Sequence, residues 1–247
     1  MSYKELFINT REINKNQTGI SVSPIFEFIY RKVSFFITPF FIQIGISPNL
    51  ISGLGLTIGL ISSALIFSST EANIRLGVIF FFIAAVVDYA DGNVARMVNR
   101  SSFYGRFIDG FIDIVILCAI RLALCRFIMV KIEDGVLFWI GFTCCVLTPI
   151  HHLIYDRYSA LSRWSNEENG TKIKPYIRQK ASPRITFFLI DLQFLLFFLI
   201  PIFFDSSMLR YLLLFYFLTN IVSAIHTIIN HILHSYRNMN FVAKAHR

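Results

Sequence analysis

The chain has 247 residues, 55% hydrophobic and 16% aromatic, with only 15% charged, a net charge of +8 and a mean hydropathy of +0.61. Soluble domains carry about 25% charged residues, and 27 phenylalanines are more than a water-soluble core of this length can bury. The composition excludes an ordinary soluble enzyme. It fits a polytopic membrane protein, with membrane lipids and no nucleic acid as its surroundings.

Residues 1–24 are polar and predict a cytoplasmic N-terminal segment. No cleavable signal peptide is expected, because the first apolar stretch carries Glu27, Arg31 and Lys32. In residues 25–46, Phe26, Ile29, Val33, Phe36, Phe40 and Phe41 recur at helical spacing, with Arg31 and Lys32 on the other side. The uncharged part, Val33 to Ile46, contains Pro39 and is short for a span. The segment reads as an interfacial amphipathic helix; a seventh span is the alternative.

Six apolar stretches follow, at 49–69, 74–98, 104–128, 136–158, 185–204 and 209–234, each near the length of about 20 residues that crosses the hydrocarbon. The expected fold is therefore all-α and integral to the membrane: six transmembrane helices over 47–236, then a basic cytoplasmic tail at 237–247. Of the 23 Lys and Arg, all but Arg75, Arg121, Arg126, Lys131 and Arg210 fall in the N-terminal region, the 97–104 turn and its flanks, the 157–184 loop or the tail. The positive-inside rule places that group in the cytoplasm. The sequons at Asn16, Asn99 and Asn169 would then go unused.

Within the spans, Gly55 and Gly59 form a GxxxG that predicts close helix packing, within one chain or across a dimer. Cys118, Cys125, Cys144 and Cys145 lie in apolar segments without metal-ligand spacing and read as small packing residues. Arg178, Lys180 and Arg184, in or after the basic loop, serve topology or else hold an anionic acceptor. Asp191 and Gln193 either bond a neighbouring helix or face a substrate cavity. His226 and His231 are five apart, a poor spacing for a zinc pair. Arg121, two turns beyond Asp113, has no role that the sequence supplies.

The informative stretch is "DYADGNVARMVNRSSFYGRFIDGFID", residues 88–113. Asp88, Asp91, Gly92 and Ala95 share one face of the second span; Gly105, Asp109 and Asp113 share one face of the third. The short link between them forces an antiparallel hairpin, so two carboxylates from each helix meet across the seam. Four facing carboxylates repel unless cations sit among them. Hard oxygen ligands on rigid helices suit Mg²⁺ or Mn²⁺, and two such ions would clamp a phosphoryl group. Arg96 would neutralise phosphate charge. Spacing alone leaves ion transport, a proton relay or helix packing open beside metal-dependent phosphoryl transfer.

The pattern Asp-x2-Asp-Gly-x2-Ala-Arg-x8-Gly-x3-Asp-x3-Asp from Asp88 to Asp113 resembles the signature of the CDP-alcohol phosphotransferase (CDP-alcohol phosphatidyltransferase) family, and every fixed position agrees. "SPNLIS", Ser47 to Ser52, resembles the Pro-Asn segment that opens the family's first span, with Ser47 and Ser52 where Thr is frequent. The resemblance covers roughly residues 25 to 236. It implies that Asp88, Asp91, Asp109 and Asp113 form the metal site, with Asp113 as the general base. It also implies that Asp91, Gly92, Ala95, Arg96 and Gly105 line the cytidine diphosphate pocket, with Asn49 and Ser52 near it. The reaction implied is attack of an alcohol on a CDP-linked substrate with release of CMP. The leading expectation is transfer of a phosphatidyl group from CDP-diacylglycerol to a polar alcohol. The alternative is donation of a phospho-head group from a small CDP-alcohol to a lipid, and a catalytically silent homologue is a further one. Arg178, Lys180, Arg184, Asp191 and Gln193 are the candidate acceptor residues, the resemblance implies a homodimer, and the active site is expected to face the cytoplasm.

Overall fold

The structure is a computed structural model and describes residues 3–17, 25–169 and 182–245. Eight helices follow in chain order: α1 (Tyr3–Gln17), α2 (Ile25–Gln43), α3 (Pro48–Phe67), α4 (Glu71–Met97), α5 (Phe103–Phe127), α6 (Gly135–Asn169), α7 (Ser182–Leu199) and α8 (Leu209–Ala245). A π-helical turn, Ile128–Ile132, extends α5, and no strand occurs among the described residues.

The helix ends follow local chemistry. Pro48 opens α3 behind an extended Ser47, where its missing N–H costs nothing and its fixed φ already suits a helix. Ser102 caps α5 by accepting a hydrogen bond from the Gly105 amide at 2.9 Å. Four connections reverse through left-handed residues: Gly45 (φ 71°), Ser69 (φ 62°), Asn99 (φ 52°) and Glu133 (φ 56°). The turn at Asn99 closes the α4–α5 hairpin that carries the aspartates.

Among the described residues, four helical stretches are long and apolar enough to cross a membrane: Pro48–Phe67, Glu71–Met97, Gly135–Trp164 and Leu209–Arg237. The expected six would also need α5 and α7. Helix α5 has 25 residues, long enough at about 1.5 Å per residue, but Arg106, Asp109, Asp113, Arg121 and Arg126 dilute its hydropathy. For α7, the stretch Phe188–Leu199 is the apolar helix among the fully described residues. Helices α6 and α8 outrun their expected spans. The segment expected as a separate basic tail continues α8 as far as Ala245.

The core gathers α4, α5, α6, α7 and α8 around Phe127, Leu124, Leu213 and Phe217, all almost fully buried. Helix α3 packs between α4 and α5, and its two glycines decide the fit. A Cβ on Gly55 would meet Val87 of α4 at 3.7 Å, and one on Gly59 would meet Ile116 of α5 at 2.6 Å. The GxxxG thus serves packing within the chain.

The N-terminal region is more ordered than its polarity predicts. Leu6 and Thr10, one turn apart on α1, are buried, and Phe7 meets Phe36 of α2 at 5.1 Å. Helix α2 turns Tyr30, Ser34 and Thr38 inward, a face richer in hydroxyls than in phenylalanine. Phe36 and Phe40 stay 59% and 55% exposed, so part of the aromatic face points outward.

Candidate active site

The site is built where the second half of α4 faces the first half of α5. Asp88, Asp91 and Asp109 each offer a carboxylate oxygen, and these oxygens lie within 4.8 Å of one another. Asp91 is buried and accepts a hydrogen bond from the Ser52 hydroxyl of α3. Asp88 and Asp109 are within hydrogen-bonding reach. Arg96 is the cation within electrostatic reach of Asp91 and Asp109. Three hard oxygen donors crowded on two rigid helices form a donor set that fits a divalent cation. Without one, their mutual repulsion is offset only in part.

Asp113 is not one of these three convergent donors, but it is a close neighbour of Asp88. It lines a cavity of about 640 Å³ beside Asp88 and lies within electrostatic reach of it. The cavity is walled by residues of α2 through α8, from Glu27 and Tyr30 to Asn220 and His231. Asp113 is thus placed to meet a molecule inside the cavity, and Asp88 joins that cavity to the point where three carboxylates converge.

The small residues of the pattern have visible reasons. A Cβ on Gly92 would press on Arg96 Nη1 at 3.3 Å, and one on Gly105 would sit 3.2 Å from Ser102 Oγ and 3.9 Å from Asn49 Oδ1. Glycine at 92 leaves the guanidinium its position. Glycine at 105 brings the start of α5 close to Asn49 and to the cap. Asn49, Ser52, Asp91, Gly92, Arg96 and Gly105 therefore neighbour one another across α3, α4 and α5, and Ala95 is half-buried on α4.

Two residues between the fixed positions carry structural contacts that the sequence reading passed over. Asn93 donates to Ser34 Oγ at 2.9 Å and to Thr38 Oγ1 at 3.2 Å on α2, while its carbonyl oxygen accepts from Arg96 Nη2 at 2.7 Å. Tyr89 donates to Glu27 Oε1 at 2.9 Å, and Arg31 lies over its ring. Helix α2 is thereby fastened to the aspartate-bearing turn of α4. The signal in the sequence is an Asn and a Tyr beside the aspartates in a largely apolar helix.

The candidate acceptor residues separate. Gln193 lines the cavity and donates to the Thr219 carbonyl at 3.2 Å. Asp191 instead accepts from the Phe26 amide at 3.1 Å, at the start of α2. Arg184 belongs to the first turn of α7, and Arg178 and Lys180 lie outside the described residues. Among the histidines, His231 is buried, bonded through Nδ1 to the Thr227 carbonyl at 2.7 Å and packed edge-on against Tyr155 and Tyr158. The four cysteines are unpaired, and Cys125, Cys144 and Cys145 are buried, as packing residues should be.

A phosphatidylinositol phosphate synthase of Streptomyces avermitilis is 37% identical over 74 residues, 30% of this chain and 30% of that protein. The crystal structure of Mycobacterium tuberculosis phosphatidylinositol phosphate synthase (PgsA1) with CDP-DAG bound superposes with a TM-score of 0.55 at 16% identity, over 86% of this chain and 94% of that one. The same enzyme in complex with manganese and citrate gives 0.57 at 14% identity, over 79% and 87%. At these identities the likeness is one of fold. Residues 45–229, three quarters of the chain, match the description of the CDP-alcohol phosphatidyltransferases, and with every fixed position of the aspartate pattern in place the chain belongs to that family.

Proposed function

We propose that the protein transfers a phosphatidyl group from CDP-diacylglycerol to the hydroxyl of a polar alcohol, releasing CMP. The observation that carries this reading is the placement of the four aspartates: Asp88, Asp91 and Asp109 converge, and Asp113 lines, with Asp88, the adjoining cavity. Asp88, Asp91 and Asp109 would hold Mg²⁺ or Mn²⁺, two ions in the fullest version. When bound, the metal offsets charge on the diphosphate and on the departing CMP. PgsA1, similar in fold, has been seen with manganese and with CDP-DAG.

The protein's own groups supply the rest. Asn49, Ser52, Gly92, Ala95, Arg96 and Gly105 form the pocket for the cytidine diphosphate, with Arg96 set against phosphate charge. Asp113 accepts the proton of the acceptor hydroxyl. The alcohol oxygen forms its bond to the lipid-linked phosphorus, the phosphorus–oxygen bond to CMP breaks, and CMP leaves with that electron pair. Cavity walls from seven helices hold the acceptor near the reacting phosphorus and limit competing hydrolysis.

The same proposal takes α5 and α7 as the fifth and sixth spans, α2 as an interfacial helix and the aspartates as facing the cytoplasm. The functional unit is taken as a homodimer. A glycan at Asn16, Asn99 or Asn169 would reverse the orientation.

The test is CMP release by purified protein with Mg²⁺ or Mn²⁺. CDP-diacylglycerol plus a panel of alcohols is compared with CDP-choline or CDP-ethanolamine plus diacylglycerol. Release with CDP-diacylglycerol is expected; release only with the small CDP-alcohols would make the head group the transferred unit. Asp113→Asn should lower turnover by about 10³-fold or more and leave CDP-diacylglycerol binding in place. Undiminished turnover would remove Asp113 as the base.

A further inference from the structure

Arg121 is a charge that the reaction outlined above does not use. It sits on α5 two turns beyond Asp113, is only 8% exposed, and lines the same cavity as Asp113 and Asp88. Its guanidinium donates to Thr148 Oγ1 of α6 and, at 2.6 Å, to Asn220 Oδ1 of α8. Both acceptors are fixed by their own helices: Thr148 donates to the Cys144 carbonyl at 2.8 Å, and the Asn220 amide donates to the Tyr216 carbonyl at 2.7 Å. Three helices therefore hold the guanidinium in one place. Its Nε is buried without a hydrogen-bond partner.

No carboxylate lies within 4.0 Å of Arg121 among the described residues, in contrast to Arg75 with Glu71, Lys131 with Asp205 and Arg210 with Asp134. A guanidinium keeps its charge at any ordinary pH and offers five N–H donors. Buried among neutral partners in a membrane domain, such a charge is costly, and its partners are expected to be functional. Neutral braces such as Thr148 and Asn220 would serve a glutamine as well. They do not account for a full positive charge with an unpartnered donor at a cavity wall.

We infer that Arg121, held by Thr148 and Asn220, binds an anionic group, phosphate or carboxylate, on the acceptor alcohol. This assignment rests on the phosphatidyl-transfer reading, because it makes Arg121 select what Asp113 deprotonates. The spacing suits it. Eight residues along α5 are about 12 Å of axis; both side chains slope back towards the N-terminus, and the longer arginine takes up part of that distance. A small alcohol with its hydroxyl at Asp113 and its anionic group at Arg121 matches the space in a cavity of about 640 Å³.

The test uses the full chain and its variants Arg121→Gln and Arg121→Lys, together with Arg178→Gln/Lys180→Gln. CMP release from CDP-diacylglycerol is measured for acceptor pairs that differ in charge: glycerol 3-phosphate against glycerol, inositol 1-phosphate against inositol, and L-serine against ethanolamine. The wild type should favour the anionic member of one pair by about tenfold or more in kcat/KM. Whether that pair carries phosphate or carboxylate identifies the anion. Arg121→Gln should erase the preference through KM while the KM for CDP-diacylglycerol holds, and Arg121→Lys should restore part of it. The assignment fails if the wild type prefers neutral acceptors, or if Arg121→Gln keeps the preference and the Arg178/Lys180 variant loses it. Should Arg121→Gln not fold, an unaltered preference in Arg121→Lys, whose ammonium cannot reproduce the planar fork, would also overturn it. If no donor and acceptor yield CMP, the transfer reading itself fails. The anion site is then judged by thermal unfolding in glycerol 3-phosphate, inorganic phosphate or L-serine: stabilisation in the wild type and not in Arg121→Gln upholds it, and none in either removes it.

Discussion

Helix α5 carries two polar groupings of opposite construction. At its start, Asp109 and Asp113 face α4 across a hairpin, and like charges are pressed together with Arg96 as the cation in reach. Two turns further on, Arg121 is one charge surrounded by neutral acceptors from α6 and α8. The first grouping sets like charges against one another; the second knits three helices together. Substitutions in the two should therefore move activity and stability in different proportions, since groups placed for function commonly cost the fold.

The strongest test of that contrast is Asp109→Asn. It removes one of three converging oxygens, so turnover should fall by about 10³-fold, and the metal dependence of thermal unfolding should weaken. The unfolding temperature of the metal-free variant should equal or exceed that of the metal-free wild type, because one repelling charge is gone. A clear loss of stability would mean that the carboxylates brace the hairpin. At the other grouping, Asn220→Leu takes an acceptor from a buried guanidinium. It should cost about 1–3 kcal/mol of stability, read as a lower unfolding temperature with or without metal.

Both groupings depend on how closely α3 lets α4 and α5 approach, and glycine substitutions grade that dependence. A Cβ at Gly77 would meet the Ser62 carbonyl at 3.0 Å and Ile66 Cγ1 at 2.7 Å, so backbone must move; Gly77→Ala should cost about 1–3 kcal/mol. At Gly59 the obstacle is the Ile116 side chain alone, so Gly59→Ala should cost less and be rescued by Ile116→Val. Gly55, with 3.7 Å of room, should accept alanine. Thermal unfolding of the three variants gives the order directly, and equal effects would deny the packing role of Gly59 and Gly77.

The two groupings also differ in how far the sequence discloses them. The aspartates lie within one hairpin, so helical periodicity and a short link are enough to bring them together, and the intervening glycines mark close approach. Arg121 meets residues 27 and 99 positions away, and no local period relates α5 to α6 or α8. The inward face of α2 is hidden from the sequence for a similar reason. Phenylalanines at helical spacing define an apolar side, but burial against α4 went to Ser34 and Thr38, which bond Asn93. Span lengths follow the apolar stretches, whereas α6 and α8 run on because a helix need not stop where hydropathy falls. The structured N-terminal helix was hidden because its few apolar positions find their partners on α2.

The smallest expected effect lies far from both groupings, at the turn that ends the π-helical extension of α5. Asp134 accepts hydrogen bonds from the Val136 and Leu137 amides, both at 3.0 Å, and pairs with Arg210 of α8 at 2.6 Å. It caps α6 and ties that turn to α8. The Leu137 amide first, and Arg210 after it, hold its carboxyl below the usual carboxylate range. A group with a lowered native pKa stabilises the fold above its unfolded pKa, near 4, and that contribution is lost as pH falls through the native value. Asp134→Asn should therefore lower the unfolding temperature slightly at pH 7. The gap to the wild type should narrow only as pH drops below about 4. A gap that stays constant down to strongly acid pH would assign the effect to the shape of the side chain and not to its charge, since the asparagine carbonyl can still cap the helix but cannot pair with Arg210.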